Sequence, residues 1–288
     1  MDHLPASIEI SPKQAIESEA LPGLFAPQAR VYITDVGTHD TEQMAAGVRR
    51  VTDLGYTAVP HVAARRLVDT ADFETKLARY SQEGGASEIL VIGGSPDAQV
   101  GSVSSTMEAL ETGAVDRNGI KHVGIAGHPE GSPDFNHQVE REALSAKQAL
   151  ANRSDADFRI VTQFGFDAAT FIRWAEALPS QGIDLPVHLG VAGPAKLPTL
   201  IKFAAMCGVG NSLQFLRKNV GKLTALATTH SPEGVVGPIE AHALANPDGP
   251  IKQLHVFPFG GIAKSADWLR ERGSWPNAVE ASESAAGA

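Results

Sequence analysis

The stretch Thr162-Gln163-Phe164-Gly165-Phe166-Asp167 combines side chains suited to holding and reading a ligand. It follows an apolar, β-branched run, Phe158-Arg159-Ile160-Val161, that reads as a buried strand, and it precedes a helical pattern from Ala168 to Trp174. Asp167 is placed to cap that helix by accepting its orphan backbone N–H groups. Thr162 and Gln163 then fall in the strand-to-helix loop, where strand–helix repeats do their chemistry. Gln163 offers a donor and an acceptor on one planar amide, which suits the edge of a heterocycle. The other reading of Gln163 is a loop residue that hydrogen-bonds its own backbone. Glu9 is the second candidate. In Ala6-Ser7-Ile8-Glu9-Ile10 the isoleucines share one strand face and Glu9 takes the other. If the sheet closes on itself that second face is packed interior, where a carboxylate is costly unless it is used.

The ends of other apolar runs add Thr34 and Asp35, His61, Gly93-Gly94-Ser95, His128, His188 with Gly190, and His255. Several histidines beside a carboxylate raise the question of a metal. Zinc sites of this kind pair two histidines closely, as H-x-H on a strand or H-E-x-x-H on a helix, and neither motif occurs; no metal is expected. The glycine-rich ends instead let a flat ligand approach the backbone.

Eight strands are needed to bring these residues to one place. They are expected at Ala6–Ile10, Arg30–Asp35, Thr57–His61, Glu88–Ile92, Lys121–Ala126, Phe158–Val161, Leu185–Gly190 and Gln253–Phe257. Pro60, which cannot donate to a ladder, is read as ending the third strand. Helical patterns intervene at Thr41–Leu54, Asp72–Glu83, Ser104–Thr112, Asn136–Ala151, Lys196–Met206, Ser212–Ala227, Val235–Ala245 and Gly261–Glu271. A single (βα)8 TIM barrel over residues 1–273 with a loose tail over 274–288 is the economical α/β fold. A doubly wound open sheet is the runner-up, and it lacks the G-x-G-x-x-G turn of its dinucleotide-binding form.

Composition bounds the class. The 288 residues are 43% hydrophobic and 20% charged, with net charge −9 and no basic block, which argues against a nucleic-acid partner. No run approaches the roughly 18 apolar residues of a membrane span. Met1-Asp2-His3-Leu4-Pro5 lacks the basic and apolar regions of a signal peptide, so a cytoplasmic protein is expected. Cys207, the single cysteine, rules out an intramolecular disulfide and is read as core packing on its helix. The oligomeric state stays open, a homo-oligomer included.

The order Ile8-Glu9-Ile10-Ser11-Pro12, Thr34, Pro60-His61, Gly93-Gly94, His128-Pro129-Glu130, Thr162 to Asp167 and Gly190-Val191 resembles the methylenetetrahydrofolate reductase family, short bacterial type, from residue 6 to about 272. The resemblance implies a TIM barrel carrying FAD, which NADH or NADPH reduces and which passes hydride to methylenetetrahydrofolate in one-carbon metabolism and methionine biosynthesis. It implies Glu9 as the general acid. Gln163, Ser95 and Phe166 would bind the folate, and Thr34, His61, Gly94, His128 and Ser132 would neighbour the flavin. Where the family has Arg-Gly-Asp after strand four, this chain has Gly93-Gly94-Ser95, with Asp97 the next carboxylate. Where the family has Tyr-Pro-Glu-x-His-Pro it has His128-Pro129-Glu130-Gly131-Ser132-Pro133, and Arg141 and Lys147 are the basic candidates for the flavin diphosphate. Because the flavin cradle is altered, a folate-binding one-carbon transferase or binding protein without redox chemistry is the alternative reading.

Overall fold

The computed structural model describes residues 3–95, 99–209 and 229–276. Asp97, the Ser212–Ala227 helical pattern and residues 277–288 of the expected tail lie outside them. Eight strands form a closed barrel: β1 (Ala6–Ile10), β2 (Arg30–Ile33), β3 (Thr57–Ala63), β4 (Glu88–Ile92), β5 (His122–Gly127), β6 (Asp157–Gly165), β7 (Val187–Ala192) and β8 (Ile251–Phe257). Chain neighbours are sheet neighbours all the way round, and β8 pairs β1 in parallel. The expected α/β (βα)8 TIM barrel is the observed fold. Ten helices are described: α1 (Pro12–Glu17), α2 (Thr41–Asp53), α3 (Thr70–Ala78), α4 (Thr106–Leu110), α5 (Ala114–Arg117), α6 (His137–Ala151), α7 (Ala168–Ala177), α8 (Leu197–Met206), α9 (Glu233–Ala245) and α10 (Ile262–Glu271).

Local chemistry sets the helix starts. Ser11 with Gln14 and Asp40 with Gln43 make reciprocal capping boxes at α1 and α2, each side chain satisfying a backbone N–H that the helix leaves open. Asp167 caps α7 as expected, accepting from Ala169 N–H at 3.1 Å and from the Thr170 hydroxyl at 2.6 Å. Other expectations need correction. β3 runs on through Pro60 and His61 to Ala63. Pro60 stands opposite Ile33, the last residue of β2, so its missing N–H falls where the neighbouring ladder stops. β6 likewise runs to Gly165, which puts Gln163 in the strand and not in the loop. Phe164, fully buried against Phe257 and Phe259 at ring-centroid distances of 5.3 and 4.7 Å, holds that extension in place. Cys207 is exposed, because the buried seam of α8 is Leu197, Leu200 and Ala204 and the cysteine lies off it. The expected Ser104–Thr112 helix is the shorter α4, Thr106–Leu110, and a further short helix, α5, follows Gly113, whose φ is 74°.

Contacts group the chain into two units, residues 1–8, 127–140 and 161–288, and residues 9–126 and 141–160. In the first, Glu240 ties the amino terminus to the last helices. It accepts from Leu4 N–H at 2.7 Å and from Arg272 at 2.9 Å. Trp275 is buried and its indole donates to the Ala6 carbonyl at 3.0 Å, so ordered contacts continue past α10.

The second unit is organised by a buried charged cluster at the amino-terminal ends of β2, β4 and β6. Arg159 donates to Glu88 at 2.7 Å and to the Tyr32 hydroxyl at 3.0 Å, and Arg30 reaches both Glu88 oxygens at 3.1 and 2.9 Å. Alternate strands supplying one layer of side chains is how such barrels fill their interior. Burial pushes the Glu88 carboxyl up, but Arg159 and Arg30 outweigh it and hold the group below its ordinary value. A carboxyl lowered by folding contributes stability above its unfolded value of about 4.3, and loses that contribution as pH falls through the folded value. Glu88→Ala should therefore cost about 3–5 kcal/mol at neutral pH, because it leaves Arg159 buried and uncompensated. It should also flatten the acid limb of the stability curve, which denaturant titrations from neutral pH downward will read.

Candidate active site

The carboxyl-terminal halves of β1, β2 and β3 bring three of the expected residues together. Glu9 and His61 come from the odd strands β1 and β3, and their side chains face each other with Glu9 Oε1 3.5 Å from His61 Nε2. Their side chains are 14% and 6% exposed, so the pair sits inside the barrel and not on its rim. The His61 ring also meets the edge of Tyr32 at 5.9 Å, above the Glu88 cluster. Thr34 follows β2, is half-buried, and donates its N–H to the Ile10 carbonyl at 3.1 Å, one residue beyond Glu9. A carboxylic acid and an imidazole in contact, with little water around them, can hold a proton and pass it between them.

The loops beyond these strands are laced to one another. Asp35 accepts from Gly37 N–H and from Ala63 N–H, each at 3.2 Å. The turn Ala64–Arg66 that follows β3 sends Arg65 to the Gly94 carbonyl at 2.6 Å, while Arg65 N–H donates to the Gly93 carbonyl at 3.0 Å. Gly94 has φ 76°, a conformation that favours glycine, and a Cβ there would sit 3.3 Å from Ala63 Cβ. Ser95, beyond it, is exposed. Arg65 and Arg66 escaped sequence reading because β3 was ended at His61. Two consecutive basic residues just past a strand end were the signal that could have found them.

The other unit holds the remaining candidates except Arg141 and Lys147. Gln163 is half-buried, and its Oε1 accepts the N–H of Phe164 at 3.1 Å, so the amide oxygen engages its own backbone while the residue stays in the strand. Thr162 Oγ1 accepts Gly190 N–H at 2.8 Å, and a Cβ on Gly190 would fall 2.4 Å from the Thr162 carbonyl, so only glycine lets β7 run this close to β6. Phe166 is buried, edge-on to Phe164 at 6.0 Å and to His230 at 6.2 Å. Burial alone pushes the His230 imidazole down. His255 lies in register with Ser7 and Gly190, and its Nδ1 is 3.0 Å from the Ser7 hydroxyl. After β5, the His128 ring stands edge-on to Phe135 at 4.9 Å and Ser132 Oγ accepts the Asp134 N–H at 3.2 Å. Of the two basic candidates, Lys147 is buried and Arg141 exposed. Among the described residues no group of three or more His, Cys, Asp or Glu could hold a metal ion, and no helix is long and apolar enough to cross a membrane.

Glu140 fastens the β5 loop, accepting His128 N–H at 3.0 Å. Burial raises its carboxyl above the ordinary range, against the lowering effects of the His128 N–H, His137 and Trp174. A carboxyl raised by folding favours the native state below its unfolded value, and that benefit is lost as pH rises through the folded value. Glu140→Gln keeps an acceptor for His128 and removes the buried charge. It should raise the thermal midpoint at pH 7, and the gap over wild type should close on acidification toward about pH 4, near the unperturbed carboxyl value.

No family profile matches the chain. Over 184 residues, 62% of this chain, it is 28% identical to 5,10-methylenetetrahydrofolate reductase of Salmonella typhimurium. Over 88 residues, 30% of this chain and 14% of the relative, it is 34% identical to methylenetetrahydrofolate reductase 1 of Schizosaccharomyces pombe. The match spans 57% of the Salmonella protein's length. Among solved structures, an uncharacterised protein from Clostridium thermocellum, described as binding two copies of 5-methyl-5,6,7,8-tetrahydrofolic acid, shares the fold. Its TM-score is 0.59 at 10% identity, with 94% of this chain and 96% of that one covered. Fold and interior polar residues thus define a (βα)8 barrel protein with a carboxylate–imidazole pair near its strand ends. Within that class the chain is similar, over part of its length, to methylenetetrahydrofolate reductases.

Proposed function

We propose that the protein reduces 5,10-methylenetetrahydrofolate to 5-methyltetrahydrofolate, with Glu9 as general acid, NADH or NADPH as the source of reducing equivalents, and FAD as the intermediate carrier. The observation that carries the reading is the Glu9 carboxyl inside the barrel, 3.5 Å from His61. The names of the relatives, and the methyltetrahydrofolate ligand of the Clostridium protein, support a folate as the substrate class.

The substrate's five-membered ring joins two nitrogens through a methylene carbon. Glu9 gives its proton to one nitrogen, the bond from that nitrogen to the methylene breaks, and a methylene iminium remains on the other. Hydride addition at that carbon completes the methyl group. His61 is the neighbouring group able to return a proton to Glu9. Gln163 reads the heterocycle with its amide N–H donors, its oxygen being engaged by Phe164, and Phe166 supplies an aromatic wall.

FAD, when bound, supplies the hydride. The donor set on the β2–β4 loops fits an anionic nucleotide, since it combines Arg65, Arg66, the Thr34 hydroxyl and bare backbone at Gly94. His128 and Ser132 are the candidates on the β5 loop. The alternative, a folate-binding transferase or binding protein without redox chemistry, is favoured by Ser95 standing where the family resemblance calls for an aspartate. Visible absorption of the purified protein, together with methylenetetrahydrofolate-dependent oxidation of NADH or NADPH, separates the two.

Glu9→Gln keeps size and hydrogen bonding but delivers no proton, so folate reduction should fall about 10²–10⁴-fold, the ordinary contribution of a general acid. Reduction of bound flavin by NADH should be spared, because no ring is opened in that half-reaction. Gln163→Ala should act mainly on KM, as loss of uniform binding does. A Glu9→Gln protein with full folate turnover would reject the acid assignment.

A further inference from the structure

Arg66 is half-buried on the turn that follows β3, and among the described residues it has no hydrogen-bonded or ionic partner. Its guanidinium lies over Gly37: a Cβ built on that glycine would be 1.5 Å from Arg66 Nη1 and 2.6 Å from Cζ. Among the described residues no carboxylate pairs with it, and the missing Gly37 side chain leaves the space it occupies. The acidic side chain of that loop, Asp35, is taken up by two backbone N–H groups. Arg65, next to it, braces the β4 loop through the Gly94 carbonyl at 2.6 Å. Val100 N–H donates to the Arg65 carbonyl at 2.8 Å and Ser102 N–H to the Val68 carbonyl at 2.9 Å, so three loops form one braced surface around the arginines. Each of those loops exposes a valine: Val36 at 52%, Val68 at 59% and Val100 at 65%.

A half-buried guanidinium with no ion-pair partner among the described residues, on loops that each expose a valine, is matched by a ligand that joins a phosphate to a flat apolar body. Arginine's planar fork suits phosphate oxygens, and its fixed position removes the entropy otherwise lost on binding. We infer that Arg66 binds a phosphate group of a nucleotide, with the Val36, Val68 and Val100 side chains flanking its base or ring. This deepens the reductase reading, on which it rests for the choice of nucleotide alone. The shared chemistry is a phosphate ester, and a flavin or a nicotinamide nucleotide could supply it.

Equilibrium binding to the full chain tests this, with FAD, FMN, NADH, NADPH and inorganic pyrophosphate titrated separately. Wild type should bind at least one nucleotide, and the one whose affinity Arg66→Gln lowers identifies the source. The loss should be about 10–100-fold, as for a charge-assisted hydrogen bond, and the salt dependence of binding should shrink with it. Gly37→Ala, which leaves Arg66 in the sequence but fills the space its guanidinium occupies, should weaken the same nucleotide. Circular dichroism and thermal melts establish that both variants fold. If Arg66→Gln binds every nucleotide as wild type does, the site is overturned and the reductase reading is untouched. If wild type binds no nucleotide, a nucleotide-driven reductase is overturned and pyrophosphate decides the site. Binding lost in Arg66→Gln keeps it, and the absence of wild-type binding overturns it.

Discussion

Every barrel strand has two faces, and the inward one must be filled without leaving a polar group stranded. In the unit of residues 9–126 and 141–160 this is met by charge. Glu88 is a buried carboxylate held by two guanidiniums, Arg30 and Arg159, through hydrogen bonds of 2.7 to 3.1 Å, and Arg159 also donates to the Tyr32 hydroxyl. An arrangement of this kind is weak evidence of net stabilisation, but removing Glu88 leaves the buried Arg159 uncompensated. It sets which face of β2, β4 and β6 points inward.

The layer above uses the same alternation for a different purpose. Glu9 and His61 are polar, nearly buried and 3.5 Å apart, an acid facing an imidazole where Glu88 faces guanidiniums. The two glutamates differ in depth and in neighbours, one held by arginines at the strand starts and one beside a histidine near the strand ends.

Glycine and proline decide how the backbone gets close enough. Gly190 admits the β6 carbonyls where any side chain would collide, and Gly37 leaves the space in which the Arg66 guanidinium lies. Pro60 is tolerated mid-strand because β2 stops beside it. The rim is thus built from absent side chains as much as from present ones. Few atoms hold it in place: Asp35 on one side, Arg65 on the other.

The sequence by itself determined the barrel, the order of its strands and the cap at Asp167, because alternation, helical spacing and capping are local patterns written in neighbouring residues. It also singled out Glu9, through the cost of a carboxylate on an inward face. The extent of the strands was decided elsewhere. β6 continues past Gln163 because Phe164 packs on phenylalanines almost a hundred residues away, and β3 continues past Pro60 because its neighbour ends there. The partner of Glu9, the exposure of Cys207 and the isolation of Arg66 are likewise tertiary facts. Each depends on which strand or loop closes beside the residue, and chain closure, unlike helix capping, leaves no mark in the residues immediately on either side.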